Sequence, residues 1–171
     1  MYFISGFYKL KKISDIKKKR MIMQDFFTNK SIRGTIIISK EGINGTISAK
    51  KKNLDLTIKK IKKTFKFIKF DSLNSSTCAY QPFHRGKIKI KKEVVPMGVM
   101  ISKRETKNHV DPSQWNSLIR DKNTFLLDAR KSFEYDVGTF EGSINPKIDK
   151  FREFPNYLKK LRKEKTIAMF C

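Results

Sequence analysis

The sequence predicts two pieces of mixed architecture: an α+β, ferredoxin-like domain of βαββαβ order over residues 1–95, and an incomplete α/β unit over 111–171. Three observations carry this expectation. Apolar residues recur at helical spacing in two separate stretches of the first 70 residues, each preceded by a β-rich run. A glycine-bearing hairpin lies between those stretches. Near the carboxyl end, two short apolar runs at 125–128 and 166–170 are separated by helical signals, the spacing of a βαβ unit.

The first strand is expected in Met1 to Leu10, which carries Tyr2, Phe3, Ile4, Phe7 and Tyr8. Ser14 offers an N-cap, and Ile16, Met23 and Phe27 share a helical face up to Asn29. Thr35 to Ser39 and Gly45 to Ser48 form the hairpin strands. In the intervening turn Lys40 to Asn44, Gly42 and Asn44 are residues that can adopt positive φ. Leu54, Ile58, Ile61 and Phe65 make one apolar stripe on a second helix whose other faces carry Lys59, Lys60, Lys62 and Lys63. Cys78 falls among Ser75, Ser76 and Thr77 in a stretch without apolar alternation, read as a loop.

Lys87 to Lys91 alternates strictly and is expected to close the sheet. Ile88 and Ile90 would face the helices, leaving Lys87, Lys89 and Lys91 in a row about 7 Å apart on the open face. Like charges so aligned favour an anionic partner, although a solvated edge guarded by lysine is the simpler alternative. The aperiodic segment 96–110 is expected to be a linker.

Beyond it, Asp111-Pro112-Ser113-Gln114 opens a helix with proline at its first position. Phe125 to Asp128 is a short strand ending in a carboxylate. A helical turn through Phe133 and Tyr135, a loop with Gly138, Gly142 and Ser143, and a helix opened by Pro155 lead to the strand Thr166 to Phe170, expected to be buried. Tyr157, Leu158 and Leu161 would point inward. Strand, crossover and strand make the two strands parallel. One such unit cannot bury both faces of a sheet, so the chain is expected to be a fragment of a longer protein.

Composition bounds the function classes. No run approaches the eighteen apolar residues of a membrane span, and the amino-terminal segment is too short for a signal sequence, so a cytoplasmic protein is expected. Two cysteines far apart exclude a disulfide framework or a cysteine-rich zinc site within this chain. His84 and His109 stand alone without metal-ligand spacing, so no metal is expected. The net charge of +23 attracts polyanions, nucleic acid above all, though an excess of lysine over arginine also follows from an AT-rich coding sequence. Glu41-Gly42-Ile43-Asn44-Gly45-Thr46 lacks the Gly-Lys-Ser/Thr of a phosphate loop.

Cys171 is the candidate nucleophile. It ends a strand at the rim where open α/β sheets place reactive groups, beside Asp128 and Arg130 at the end of the neighbouring strand. A cation there favours the thiolate. A buried structural cysteine, and an Asp128–Arg130 pair that only fastens the loop, are the plain alternatives.

These residues carry a resemblance. Asp128-Ala129-Arg130, Glu134 to Phe140, Ile144-Asn145-Pro146, Phe151-Arg152-Glu153-Phe154-Pro155 and Ala168-Met169-Phe170-Cys171 resemble the rhodanese domain of the bacterial tRNA uridine(34) hydroxylases. Arg33-Gly34-Thr35, Ser39 through Ser48 with its Lys-Glu-Gly-Ile-Asn-Gly hairpin, and Lys87, Lys89 and Lys92 to Val95 are similar to that family's acylphosphatase-like amino-terminal domain. The resemblance implies a C-terminally truncated member whose full-length form hydroxylates the wobble uridine of tRNA to 5-hydroxyuridine. Dioxygen and an unidentified reductant would be co-substrates, with no cofactor in this chain. Cys171 would be the first cysteine of the rhodanese loop, supported at the rim by Asp128 and Arg130. Lys87, Lys89, Lys91, Lys59 and Lys63 are the candidate RNA contacts. A rhodanese-type sulfurtransferase with a cysteine persulfide, and a non-catalytic basic RNA-binding fragment, are the competing readings. The 171-residue chain by itself is expected to be inactive.

Overall fold

The computed structural model describes residues 1–96, 98, 109–161 and 164–171. The chain divides into two compact units, Met1–Val95 and Pro96–Cys171. Most of the expected linker, 96–110, falls outside the described residues.

In the first unit, β1 (Tyr2–Leu10), α1 (Ile16–Asn29), β2 (Arg33–Ile38), β3 (Gly42–Ala49), α2 (Lys51–Phe65), β4 (Ser72–Cys78) and β5 (Gly86–Ile90) form one sheet and two helices. The strand order is β4-β1-β3-β2-β5, antiparallel throughout except where β5 runs parallel to β2. Both helices cover one face, the one on which the strands place their buried apolar side chains. Phe7, Ile36, Ile38, Ile43, Ile47 and Ile88 meet Met23 and Phe27 of α1 and Leu54, Ile61 and Phe65 of α2 in a single buried cluster.

The ferredoxin-like order stands, with an additional strand that the sequence conceals. Ser72–Cys78 is the fourth strand, so the alternating lysine segment is the fifth, and Cys78 ends a strand rather than lying in a loop. Ser-Leu-Asn-Ser-Ser-Thr-Cys shows no apolar alternation because this edge strand pairs on one side only, with β1, and stays largely open to solvent. Its pairing is carried by backbone. The connection from β4 to β5 spans the sheet from one edge to the other: Gln81 Nε2 donates to the Ser48 carbonyl (3.4 Å) and Arg33 Nη1 to that of Phe83 (3.4 Å).

Three local expectations are corrected. Helix α1 starts after Asp15, which occupies a left-handed conformation with φ 52° and makes no side-chain cap, so Ser14 is not the N-cap. Ser14 instead offers its carbonyl to Lys19 Nζ at 2.7 Å. Neither Gly42 nor Asn44 has positive φ, because β3 already begins at Gly42. Glycine is required at 42 by proximity: a Cβ there would stand 2.2 Å from the Lys9 carbonyl oxygen. Ile88 is buried, but Ile90 is 42% exposed at the far end of β5.

The hairpin motif Lys40 to Thr46 has structural tasks. Glu41 accepts from the Val94 amide (2.7 Å), pinning the buried Val94 after β5. The amides of Lys11 and Ile13 donate to the carbonyls of Glu41 (2.8 Å) and Lys40 (2.9 Å), tying the β1–α1 loop to the same turn.

In the second unit, α3 (Pro112–Arg120) has proline in its first turn, as the sequence indicates. β6 (Thr124–Asp128) pairs in parallel with β7 (Thr166–Phe170), joined through α4 (Ser132–Val137), a 3-10 turn at Phe151–Glu153 and α5 (Phe154–Leu158). On the other side of β6, Ile144 bridges Leu127: the Asp128 amide donates to the Ile144 carbonyl and the Ile144 amide to that of Leu126. The strand at 166–170 is not buried as expected. Only Ala168 is, while Met169 is 49% exposed. Phe154 is the buried residue of α5, with Tyr157, Leu158 and Leu161 half-buried.

Candidate functional site

The second unit is organised around one carboxylate. Asp128, at the carboxyl end of β6, is fully buried, and a buried charge persists only when its lone pairs are filled. Arg130 fills most of them. Its Nε donates to Oδ1 (3.0 Å) and Oδ2 (3.2 Å), its Nη2 to Oδ2 (2.6 Å), and its backbone amide to Oδ1 (3.0 Å). Thr139 Oγ1 donates to Oδ2 at 2.8 Å. The Arg130 hydrogen bond holds the Asp128 carboxyl below the usual range, with the Thr139 bond contributing, against the opposing effect of burial. Arg130 is correspondingly pushed up by Asp128 and stays charged.

A second layer fixes this pair in place. Arg130 Nη2 also donates to the Gly138 carbonyl (2.7 Å), drawing the end of α4 toward the clasp. Buried Asn145 donates from Nδ2 to the carbonyls of Asp128 (3.1 Å) and Arg130 (2.8 Å) and accepts from the Lys147 amide (2.9 Å). The Thr139 and Ser143 hydroxyls lie 2.6 Å apart, and Tyr135 donates its hydroxyl to the Ser143 carbonyl at 3.1 Å.

Cys171 follows β7 directly and is exposed as a free thiol. The Ala129 amide donates to the Phe170 carbonyl (2.9 Å), which sets the ends of the two strands side by side. Arg130, Gly138, Thr139, Phe140, Phe170 and Cys171 line an open concavity of about 350 Å³. Its apolar wall is a ring cluster: Phe140 stands edge-on to Phe170 (4.9 Å between centroids), and Trp115 packs on both. The Arg130 guanidinium lies over the Phe170 ring at 5.6 Å. A cation, an exposed thiol and an aromatic wall thus line one hollow.

The residues singled out in the sequence therefore separate into groups. Asp128, Arg130 and Cys171 meet at one rim. Lys87 and Lys89 are exposed on β5, alternating with buried Ile88 and so directed away from the helices, and Lys91 is exposed one residue past the strand's end. Lys59 and Lys63 are exposed on α2, which covers the opposite face, so they do not share a surface with Lys87 and Lys89. Thr139, Ser143 and Asn145, which complete the clasp, were not singled out as site residues. The available signal is a segment without periodicity, Gly138 to Asn145, that holds two glycines and the short polar residues Thr139, Ser143 and Asn145. Among the described residues no group of three metal-ligating side chains occurs, and no helix is long and apolar enough to cross a membrane.

Residues 2–94 match the family described as the UPF0176 acylphosphatase-like domain. The chain is 57% identical over 172 residues to the tRNA uridine(34) hydroxylase of Pelagibacter ubique, covering 100% of this chain and 57% of that protein. It is 38% identical over 167 residues to the tRNA uridine(34) hydroxylase of Bartonella quintana, covering 92% and 55%. The chain thus spans a little over half the length of these curated relatives. Among solved structures, an acylphosphatase from Bacillus subtilis overlaps 52% of this chain at 12% identity, with a TM-score of 0.39.

Proposed function

The chain belongs to the UPF0176 family through its acylphosphatase-like domain, and from that membership we propose that the whole protein hydroxylates uridine 34 of tRNA. The observation that carries the reading is the 57% identity to a tRNA uridine(34) hydroxylase, which runs through both units rather than the first alone. Dioxygen serves as oxidant, and an external two-electron reductant takes the second oxygen atom to water.

The rim of the second unit, taken as the opening part of a rhodanese domain, supplies the chemistry. The Cys171 thiolate adds to C6 of an unstacked uracil, shifting electron density to C5, where oxygen enters; loss of the C5 proton and expulsion of the thiolate restore the ring. Arg130 lines the hollow beside Cys171, and its clasp with Asp128 keeps the guanidinium in place. The aromatic wall of Phe140 and Phe170 receives the base, which must leave its stack to react. Lys87, Lys89 and Lys91 neutralise phosphates of the same RNA, while Lys59 and Lys63, on the other face, reach a separate stretch of it.

The test is made on the whole protein, expressed in cells lacking their own tRNA hydroxylation, with nucleosides measured by mass spectrometry. The reading expects 5-hydroxyuridine from the wild type and none from Cys171→Ser. Product from that variant would remove Cys171 from the mechanism, and thiolated uridine in place of hydroxylated would turn the assignment to sulfur transfer.

A further inference from the structure

The first unit has a hollow of its own beside the β1–α1 loop. It measures about 970 Å³ and is lined by Lys12, Ile13, Ser14, Asp15, Ile16, Lys17, Lys18, Lys40 and Ile90. Three elements build it: the β1–α1 loop with the first turn of α1, the β2–β3 turn, and the end of β5. Its floor is apolar, with Ile16 half-buried and Ile90 42% exposed. Leaving an isoleucine this open at the end of a strand costs hydrophobic free energy.

The rim is cationic and uncompensated. Lys12, Lys17, Lys18 and Lys40 are all exposed, and none appears in the ion pairs of the described residues, which join Lys9 to Asp71, Lys51 to Asp55 and Arg130 to Asp128. Against these four charges the hollow holds one carboxylate, Asp15. The loop amides of Lys11 and Ile13 are already given to the carbonyls of Glu41 and Lys40. The four lysine side chains carry the charge of the rim, and their flexible ammonium groups suit a chain of phosphates more than a single, tightly caged anion.

We propose that this hollow binds an unpaired stretch of the RNA, with Lys12, Lys17, Lys18 and Lys40 on successive phosphates and a base laid on Ile16 and Ile90. The inference rests on tRNA being the substrate and adds a contact surface remote in sequence from the Cys171 rim. Ile90 immediately follows Lys89, so the hollow and the lysines on the open sheet face flank the same strand, and one RNA strand can pass around the edge at β5. An apolar floor inside a lysine rim is a poor fit for paired RNA, whose bases are hidden, and a good one for a loop or single strand.

The experiment titrates the whole protein with a labelled tRNA transcript and with a single-stranded oligoribonucleotide over a potassium chloride series. Replacing Lys12, Lys17, Lys18 and Lys40 together by Gln should flatten the dependence of log affinity on log salt by about 3, four contacts at roughly 0.7 each. Affinity at low salt should fall at least tenfold. A charge-matched control replacing Lys52, Lys122, Lys159 and Lys160 by Gln should keep the wild-type slope. Ile90→Ser should weaken the single strand severalfold with its slope unchanged, and 4-thiouridine in the RNA should crosslink to the segment 12–18.

An unchanged slope in the first variant, or an equal loss in the control, overturns the proposal, as does tighter binding of an acidic peptide than of RNA at the hollow. These outcomes leave the hydroxylation assignment standing, since that is decided by Cys171→Ser in the whole protein.

Discussion

The two units of this chain solve the same problem with opposite materials. Met1–Val95 is held by a continuous apolar layer between a five-stranded sheet and two helices, and its buried polar residues are small hydroxyls such as Ser5, Ser39, Ser48 and Thr57. Among its described residues, Pro96–Cys171 has two paired strands and few buried apolar residues: Leu126, Leu127, Phe154 and Ala168. At its centre sits a buried carboxylate with its arginine, threonine and asparagine. Apolar packing is tolerant and non-directional, whereas a buried ionic network holds a geometry or fails. The first unit is accordingly suited to being a platform, and the second to placing an arginine and a thiol at one rim.

The sharpest way to break the contrast is to cut into each centre. Phe27→Ala empties a side chain packed against β2 and β5 and should cost the first unit about 3–5 kcal/mol, read as a lower urea midpoint for its transition. The second unit's transition should not move. Asp128→Asn keeps the volume but removes the charge that Arg130 meets four times, at a cost on the order of 2–3 kcal/mol to the second unit. Acid should distinguish these two variants further. Asp128 has its carboxyl lowered in the folded chain from an ordinary value of 3.8. Its contribution is therefore complete above that value and lost as pH falls through the lower folded one. The wild-type second unit should lose stability below about pH 4, Asp128→Asn should lack this component, and Phe27→Ala should retain it.

The same contrast explains what could be read in advance. Helices α1 and α2 and strands β2, β3 and β5 announce themselves because Met23 and Phe27, Leu54 and Phe65, and the isoleucine runs repeat with the period of their element. Strand β4 was missed because Ser72–Cys78 is stabilised by backbone pairing to β1, which leaves no mark on side-chain pattern. In the second unit the parallel pairing of β6 and β7 was legible from spacing. Asp128 and Arg130 were legible as a pair two residues apart. Thr139, Ser143 and Asn145 were not, since polar residues in a loop look alike whether they face water or a buried carboxylate; only the fold turns them inward. Ile90 failed in the other direction: alternation gave its face correctly, but not that the helices stop short of covering it.

Within the clasp, Asn145→Ala should rank next, at about 1–3 kcal/mol, because it strips donors from two carbonyls and leaves that of Asp128 buried without this partner. Its distinguishing readout is local: amide hydrogen exchange should rise at Arg130 and Lys147 before any change in the first unit.

The smallest effect comes from the ion pair that most resembles the clasp on paper. Lys51 and Asp55 meet at 2.7 Å, almost the separation of Arg130 and Asp128. Both partners are more than half exposed, 61% and 51%, whereas the Asp128 side chain has no exposure at all. Water competes for the first pair, salt screens it, and its loss orphans nothing. Lys51→Met should therefore change the first unit's stability by less than about 0.5 kcal/mol, and added salt should erase even that. If Lys51→Met proved as costly as Asp128→Asn, distance rather than burial would govern these pairs, and the distinction drawn between the two units would lose its physical basis.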